Sequence, residues 1–256
     1  MQPMCVCLSK NSKLYKIKKN KREHTIFMSL STDLKELLIS KGATGVGFAN
    51  LKGIKNVPND MPNGISILIK LSKEAIKSIE VKGKKEYLKE YDNSYPILDE
   101  LALKGEEFLK NKGYKAYALT KERVSVPDNK ITLIPFKTVA TRSGLGWIGK
   151  SALFITPKYG SAVRLITILT NAPLDFNKPI TTSLCGMCRI CQDNCPADAI
   201  TGLTWNPKLE RNDLFEYKKC LNVLEELAEN EFHNPNVKVC SKCISVCPNT
   251  QRYVEK

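Results

Sequence analysis

Eight of the ten cysteines lie between positions 185 and 247, in two runs whose spacing could hold inorganic clusters. The first run is Cys185-x-x-Cys188-x-x-Cys191-x-x-x-Cys195-Pro196, the spacing of the bacterial 4Fe-4S run. Three thiolates two residues apart can wrap one cube of iron and sulfide from a tight loop. The fourth thiolate, followed by proline, is turned away and in two-cluster proteins serves the other cube. The second run, Cys240-x-x-Cys243-x-x-x-Cys247-Pro248, has the same tail but carries Val237 where a first cysteine would stand. Cys220, between the runs, supplies the missing thiolate. The eight cysteines then divide into two sets of four: Cys185, Cys188, Cys191 and Cys247 for one cluster, and Cys195, Cys220, Cys240 and Cys243 for the other.

Other uses of these thiols are disfavoured. With only two histidines, His24 and His233, imidazole-built zinc or iron sites are nearly excluded. Structural zinc rarely shows the doubled Cys-Pro tail, and a reducing compartment keeps thiols out of disulfides. Cys5 and Cys7 stand apart near the N-terminus and are assigned no metal role.

The stretch GLGWIGKS at 144–151 matches the letters of a phosphate-binding loop. Such a loop must follow a buried strand and open a helix, so that bare backbone amides and the helix dipole hold phosphate. Here PFKTVATRS precedes it, ALFIT follows it, and Pro157 forbids a long helix. Trp147 and Ile148 are bulky where phosphate needs room, and no apolar strand ending in Asp follows. The expectation is no ATP or GTP binding, with a glycine-rich turn leading from a helix into a strand.

Three segments must position these residues. Residues 1–27 are rich in Lys, Asn and Ser, without periodicity, and read as a disordered or spurious extension, with Met28 a candidate start. Residues 28–180 read as an α/β domain. In it, Ser31, Thr32 and Asp33 are candidate caps for a helix carrying Leu34, Leu37 and Leu38. Strands are expected at ATGVGFANL, GISILIKLS and YKAYALT, with a helix over YPILDELALKGEEFLKNKG. SALFIT and SAVRLITILT, separated by PKYG, predict a hairpin, so the sheet is at least partly antiparallel. Residues 181–256 form a small cysteine-rich domain interrupted by one helix, LFEYKKCLNVLEELAEN.

The formal net charge is +14, and the first 27 residues carry seven Lys or Arg against one acid. A basic surface is compatible with RNA or another polyanion, although the lysines form no tight block. No run of about 18 apolar residues suggests a membrane span, and the basic N-terminus lacks the apolar stretch of a secretory signal. A soluble, cytoplasmic protein is expected.

Over residues 130–250, TVATRSGLGWIGKSALFITPKYGSAVRLITILTNAPL, then CGMCRICQDNCPADAITG, the lone Cys220 and CSKCISVCPN resemble the epoxyqueuosine reductase family, which is related in architecture to reductive dehalogenases. The resemblance implies an α/β (α+β) domain of the nitroreductase-like, corrinoid-binding type, followed by a bacterial-ferredoxin-like domain with two 4Fe-4S clusters. It implies cobalamin as a further cofactor, tRNA as a partner, and reduction of the epoxide of epoxyqueuosine to queuosine. Gly144, Gly146, Trp147, Gly149, Lys150 and Ser151 would form a loop near the corrinoid and the clusters. Glycines there let the backbone approach a large planar cofactor, and an indole offers a flat apolar wall. The family's acidic proton donor lies upstream of this loop. Without a gap its place is held by Lys130, and Asp128 is the nearest carboxylate, hence the candidate donor.

The expected function is an iron–sulfur reductase drawing electrons from an external donor such as a flavodoxin or ferredoxin. The alternative is a non-catalytic electron carrier serving a separate reductase. A third reading is an RNA-binding protein with structural clusters, which no aromatic stacking motif recommends.

Overall fold

The structure is a computed structural model that describes residues 29–124 and 134–256, together with the backbone of two short paired strands, β1 (Leu14–Ile17) and β2 (His24–Phe27). The remainder of the 1–27 extension, Cys5, Cys7, Asp128 and Lys130 lie outside the described residues.

The first long element is α1 (Leu30–Ser40); the short helices α2 (Lys73–Ser78), α4 (Lys121–Val124) and α7 (Arg211–Leu214) lie further along the chain. The cap of α1 is Ser29, whose hydroxyl accepts from the Thr32 N–H at 3.3 Å, so the helix begins just before the Ser31–Asp33 stretch expected to cap it. Leu34 and Leu38 are fully buried. The central sheet follows: β3 (Gly45–Asn50), β4 (Asn63–Lys70), β5 (Ala116–Ala118) and β8 (Val163–Thr170), in the order β3-β4-β8-β5. Every neighbouring pair is antiparallel.

Both central strands are mostly apolar because both faces of the sheet are covered. On one face, Ile65, Ile67, Ile166 and Ile168 meet Leu34 and Leu38 of α1 and Leu98, Leu101 and Leu109 of α3 (Lys85–Asn111). On the other, Leu68 and Leu169 meet Ala140 and Val139 of α5 (Phe136–Arg142). A strand buried on both faces reads as a continuous apolar run instead of an alternating one.

The predicted hairpin between SALFIT and SAVRLITILT does not form. Phe154–Ile155 (β7) pairs instead with Trp147–Ile148 (β6), and only a Thr156–Gly160 bridge remains of the hairpin. The reversal over 149–153 brings the glycine loop nearer, with the Gly149 N–H bonding the Leu153 carbonyl at 2.8 Å. β8 is freed to enter the sheet centre, where β4 and β5 satisfy both of its edges.

Helix α3 is also longer at its start than the predicted 95–113 span and runs through Pro96. Tertiary packing offsets the proline. Tyr87, Tyr91 and Tyr95, four apart on one face, contact each other in sequence, tilted and then edge-to-face, with ring centroids 5.9 and 5.6 Å apart. The far end of α3 is held by Glu106, only 4% exposed. Its carboxylate accepts from the Ala118 N–H at 2.7 Å and is paired with Lys110 and Arg123.

Burial alone would raise the Glu106 pKa, but the bonds from Arg123, Lys110 and Ala118 outweigh it and hold the carboxyl below its ordinary value. Its contribution to stability is therefore present above the ordinary carboxylate range and lost as pH falls through the lowered folded value. Glu106→Gln is expected to cost about 2–3 kcal/mol at pH 7, and less in acid, by thermal or urea unfolding.

Residues beyond 181 dock on this domain through specific contacts. Lys84 and Glu231 form an ion pair at 2.7 Å with both side chains nearly buried. Glu80 meets Lys242 and Ser245. The Tyr253 hydroxyl donates to the Leu71 carbonyl at 2.8 Å, and Tyr253 and Val254 complete an apolar group with Leu71, Ile76 and Tyr87.

Candidate metal centres

The cysteine runs fold as two similar loop–helix units. Cys185 and Cys188 lie in a turn closed by the Cys188 N–H on the Cys185 carbonyl at 3.1 Å, and Cys191 lies in the short helix α6 (Ile190–Asp193). Cys243 lies in the matching helix α9 (Lys242–Ser245), which packs against α6. Cys247 caps α10 (Pro248–Glu255), with Pro248 in the first turn, where proline costs no hydrogen bond. Cys220 comes from α8 (Tyr217–Asn230).

All eight thiols are free. Cys191 is surrounded by Cys185, Cys247 and Cys188; burial first, then those neighbours, push its thiol up to about 11. Burial, then Cys240 and Cys195, raise Cys220, with Arg211 opposing. Burial pushes Cys243 up further, followed by Cys240, Cys191, Cys195 and Cys220. Grouped thiols resist ionisation because several negative charges would share one low-dielectric site; bound metal supplies the compensating positive charge. Among the described residues, no three His, Cys, Asp or Glu side chains are gathered for a single ion. A four-iron cube carries its thiolates on the outside of a larger inorganic core.

The GLGWIGKS loop lies against the first of these groups, leading from α5 into β6 and β7, as its flanks predicted. Gly144 has φ +70°, and a Cβ there would stand 2.7 Å from the Lys178 carbonyl. At Gly146 a Cβ would stand 2.1 Å from the Ile155 carbonyl, so only glycine lets this loop and β7 pair closely. Gly144 and Gly146 thus serve chain packing. At Gly149 the Cβ position is 3.5 Å from Cys185 Sγ. Lys150 and Ser151 line a cavity of about 190 Å³ with Cys185, Cys188, Cys191 and Cys247, and Cys243 also reaches it.

Trp147 is 3% exposed and packs with Ile155, Ile180, Cys185 and Cys247. Its indole Nε1 is buried with no hydrogen-bond partner among the described residues. Such an orphaned donor costs about 1–3 kcal/mol.

Cys195, Cys220 and Cys240 face a different space, and Cys243 borders both. Cys195, Cys220, Cys240 and Cys243 line a cavity of about 310 Å³, opposite Lys137 and Arg164 from the α/β domain. It adjoins a second cavity of about 460 Å³ that shares Tyr87, Lys137 and Arg164. Val124 and Pro135 also line this second space.

Two cations in these walls were missed in the sequence. The Arg164 guanidinium stacks on Tyr91 and Tyr95 at 3.8 and 4.8 Å from the ring centroids. Burial opposes ionisation of Tyr91, but Arg164 holds its phenol below the ordinary value. Lys137 Nζ donates to the Ala152 carbonyl at 2.6 Å. Burial, helped by the charge of Arg211, pulls its pKa down to about 8. The Tyr87-Tyr91-Tyr95 spacing was the available signal for this wall; Lys137 and Arg164 left none, because only chain crossing brings them together.

Residues 184–250 match the 4Fe-4S double cluster binding domain. This segment is a double-cluster iron–sulfur domain. The chain is 39% identical over 111 residues to the epoxyqueuosine reductase of Listeria monocytogenes, covering 43% of this chain and 28% of that protein. The chain therefore spans well under half of that relative.

Its fold is that of two kinds of solved structure. One is an epoxyqueuosine reductase with a tRNA-Tyr epoxyqueuosine-modified tRNA stem loop, at TM-score 0.56 and 20% identity, covering 86% of this chain and 64% of that one. The other is a reductive dehalogenase whose structure suggests a mechanism for B12-dependent dehalogenation, at TM-score 0.60 and 18% identity, covering 95% and 36%. Among the described residues, no helix is long and apolar enough to cross a membrane.

Proposed function

We propose that this chain is an iron–sulfur reductase of the epoxyqueuosine reductase type. Cys185, Cys188, Cys191 and Cys247 hold one 4Fe-4S cluster, and Cys195, Cys220, Cys240 and Cys243 hold the other. One observation carries the reading: the second set of thiols and the α/β side chains Tyr91, Lys137 and Arg164 line one cavity. Electrons reaching that cluster arrive at the wall of a space large enough to take a cofactor or substrate.

The walls suit a corrinoid, whose bulk is apolar and whose periphery carries amides and a phosphate. Tyr91, Tyr95 and Leu153 offer flat or apolar surface; Lys137 and Arg164 offer donors to an anionic or amide group. A corrinoid bound there supplies a strongly reducing cobalt centre beside the cluster. Opening an epoxide to an alkene consumes two electrons and two protons and releases water. The electrons come from the external donor, and Asp128 is the proposed proton donor. The tRNA nucleoside is the proposed substrate, supported by the basic charge and by the bound stem loop of the solved relative.

The external donor is proposed to dock at the first cysteine run. Leu184, Met187 and Ile190 are exposed within seven residues there, Met187 at 95%. Short-lived electron-transfer encounters use small surfaces of this kind. With the chain at +14, an acidic carrier such as a flavodoxin is the fitting partner. Met187→Glu is expected to slow reduction of the clusters by reduced flavodoxin about tenfold, with iron content unchanged, in stopped-flow absorbance.

The test of the whole reading is anaerobic purification with cobalamin supplied, followed by iron, sulfide and cobalt analysis. About eight irons and one cobalt are expected. Eight irons without cobalt would leave an electron carrier. If cobalt binds, unchanged epoxyqueuosine in tRNA from cells lacking their own reductase would reject the substrate.

A further inference from the structure

The indole of Trp147 sits in a group whose other side chains are Ile155, Ile180, Cys185 and Cys247. Its position is fixed by strand pairing with Ile155 and by the close approach at Gly146. Within this group the only side-chain atoms able to accept a hydrogen bond are the two cysteine sulfurs. These come from opposite ends of the cluster domain, 185 and 247, and belong to the same set of four. Filling this space by apolar bulk alone needs no indole, since a phenyl ring packs without a buried donor. A water would need two to four polar partners, which this group does not offer.

We propose that the Trp147 Nε1–H donates a hydrogen bond to sulfur of the cluster held by Cys185, Cys188, Cys191 and Cys247, and so raises that cluster's reduction potential. The acceptor is a ligand thiolate or an inorganic sulfide of the cube. Reduction adds negative charge to the cluster, and a donor aimed at its sulfur stabilises the reduced form more than the oxidised one. Trp147 is then a positioning and tuning residue. It favours electron arrival at the first cluster from a donor of modest reducing power. This inference rests on the two-cluster reading above.

The test compares wild type with Trp147→Phe, both purified anaerobically, by iron analysis and an EPR-monitored redox titration. With iron unchanged, one cluster is expected to become harder to reduce by about tenfold in its one-electron equilibrium, equivalent to 59 mV, while the other cluster is unmoved. Full iron with both potentials unchanged overturns the inference. A second measurement keeps Trp147 in place and does not depend on the variant retaining iron. Protein labelled with 15N in the indole ring and carrying Trp205→Phe is reduced and examined for hyperfine coupling. Coupling of the remaining 15N to a reduced cluster is expected, and its absence overturns the inference. Wild-type protein lacking about eight irons would instead overturn the two-cluster reading itself, a result that iron analysis alone reveals.

Discussion

The double variant Cys185→Ser/Cys247→Ser is expected to keep about four irons, whereas Cys185→Ser/Cys240→Ser is expected to keep almost none. The two proteins differ only in which cysteine of the second run is lost. Cys247 neighbours Cys191 together with Cys185 and Cys188, while Cys240 neighbours Cys220 and Cys243. Removing Cys185 and Cys247 empties one set of four and spares the other; removing Cys185 and Cys240 damages both. If each run held its own cluster, the first pair would damage both sites as well. Iron and sulfide analysis, with EPR of the reduced proteins, separates the two arrangements. Near-complete iron loss in both variants would refute the interlaced assignment.

Lys137→Met is expected to stabilise the metal-free protein at pH 7 by about 1–2 kcal/mol. Burial lowers the Lys137 pKa from 10.5 to about 8. A folded pKa below the unfolded one means that the unfolded chain binds the proton more strongly between those values. Stability therefore rises with pH from about 8 to about 10.5 and is reduced by this group at pH 7. At 1.36 kcal/mol per pH unit the cost is about 3 kcal/mol, offset in part by the bond to the Ala152 carbonyl. Methionine fills similar volume without the charge.

The gain should shrink as the pH rises from about 8 and vanish well above 10.5, where neither state of the wild type carries the proton. Retention of so costly a cation at a cavity wall fits a binding role. Lys137→Met is accordingly expected to weaken corrinoid binding about tenfold, with iron content unchanged. Equal stability and equal binding in variant and wild type would remove Lys137 from the site.

The parts of the fold legible in the sequence were those set by local pattern. Leu34 and Leu38 at helical spacing, and the unbroken runs of β4 and β8, have their burial written into their order. Helix α3 was half legible, because proline at 96 reads locally as a start. The tyrosine row that carries the helix back to Lys85 is stabilised by Arg164 on a distant strand. The hairpin expectation failed for the same reason: which neighbour a strand takes depends on what else reaches its edges, and β8 found β4 and β5.

The cluster chemistry was legible from local spacing, because Cys185, Cys188 and Cys191 place three thiolates in one tight loop. It also placed GLGWIGKS between a helix and a strand, since Pro157 and bulky Trp147 and Ile148 act on the local backbone. What that loop meets depends on long-range folding. Trp147 touches Cys185 and Cys247, which are 62 positions apart. Lys137 and Arg164 face the second set of thiols across a cavity that exists because α5, β8 and α9 are brought together from separate parts of the chain. Ligand spacing is a short-range property of the backbone. A cavity wall is assembled by long-range burial, whose partners no local pattern names.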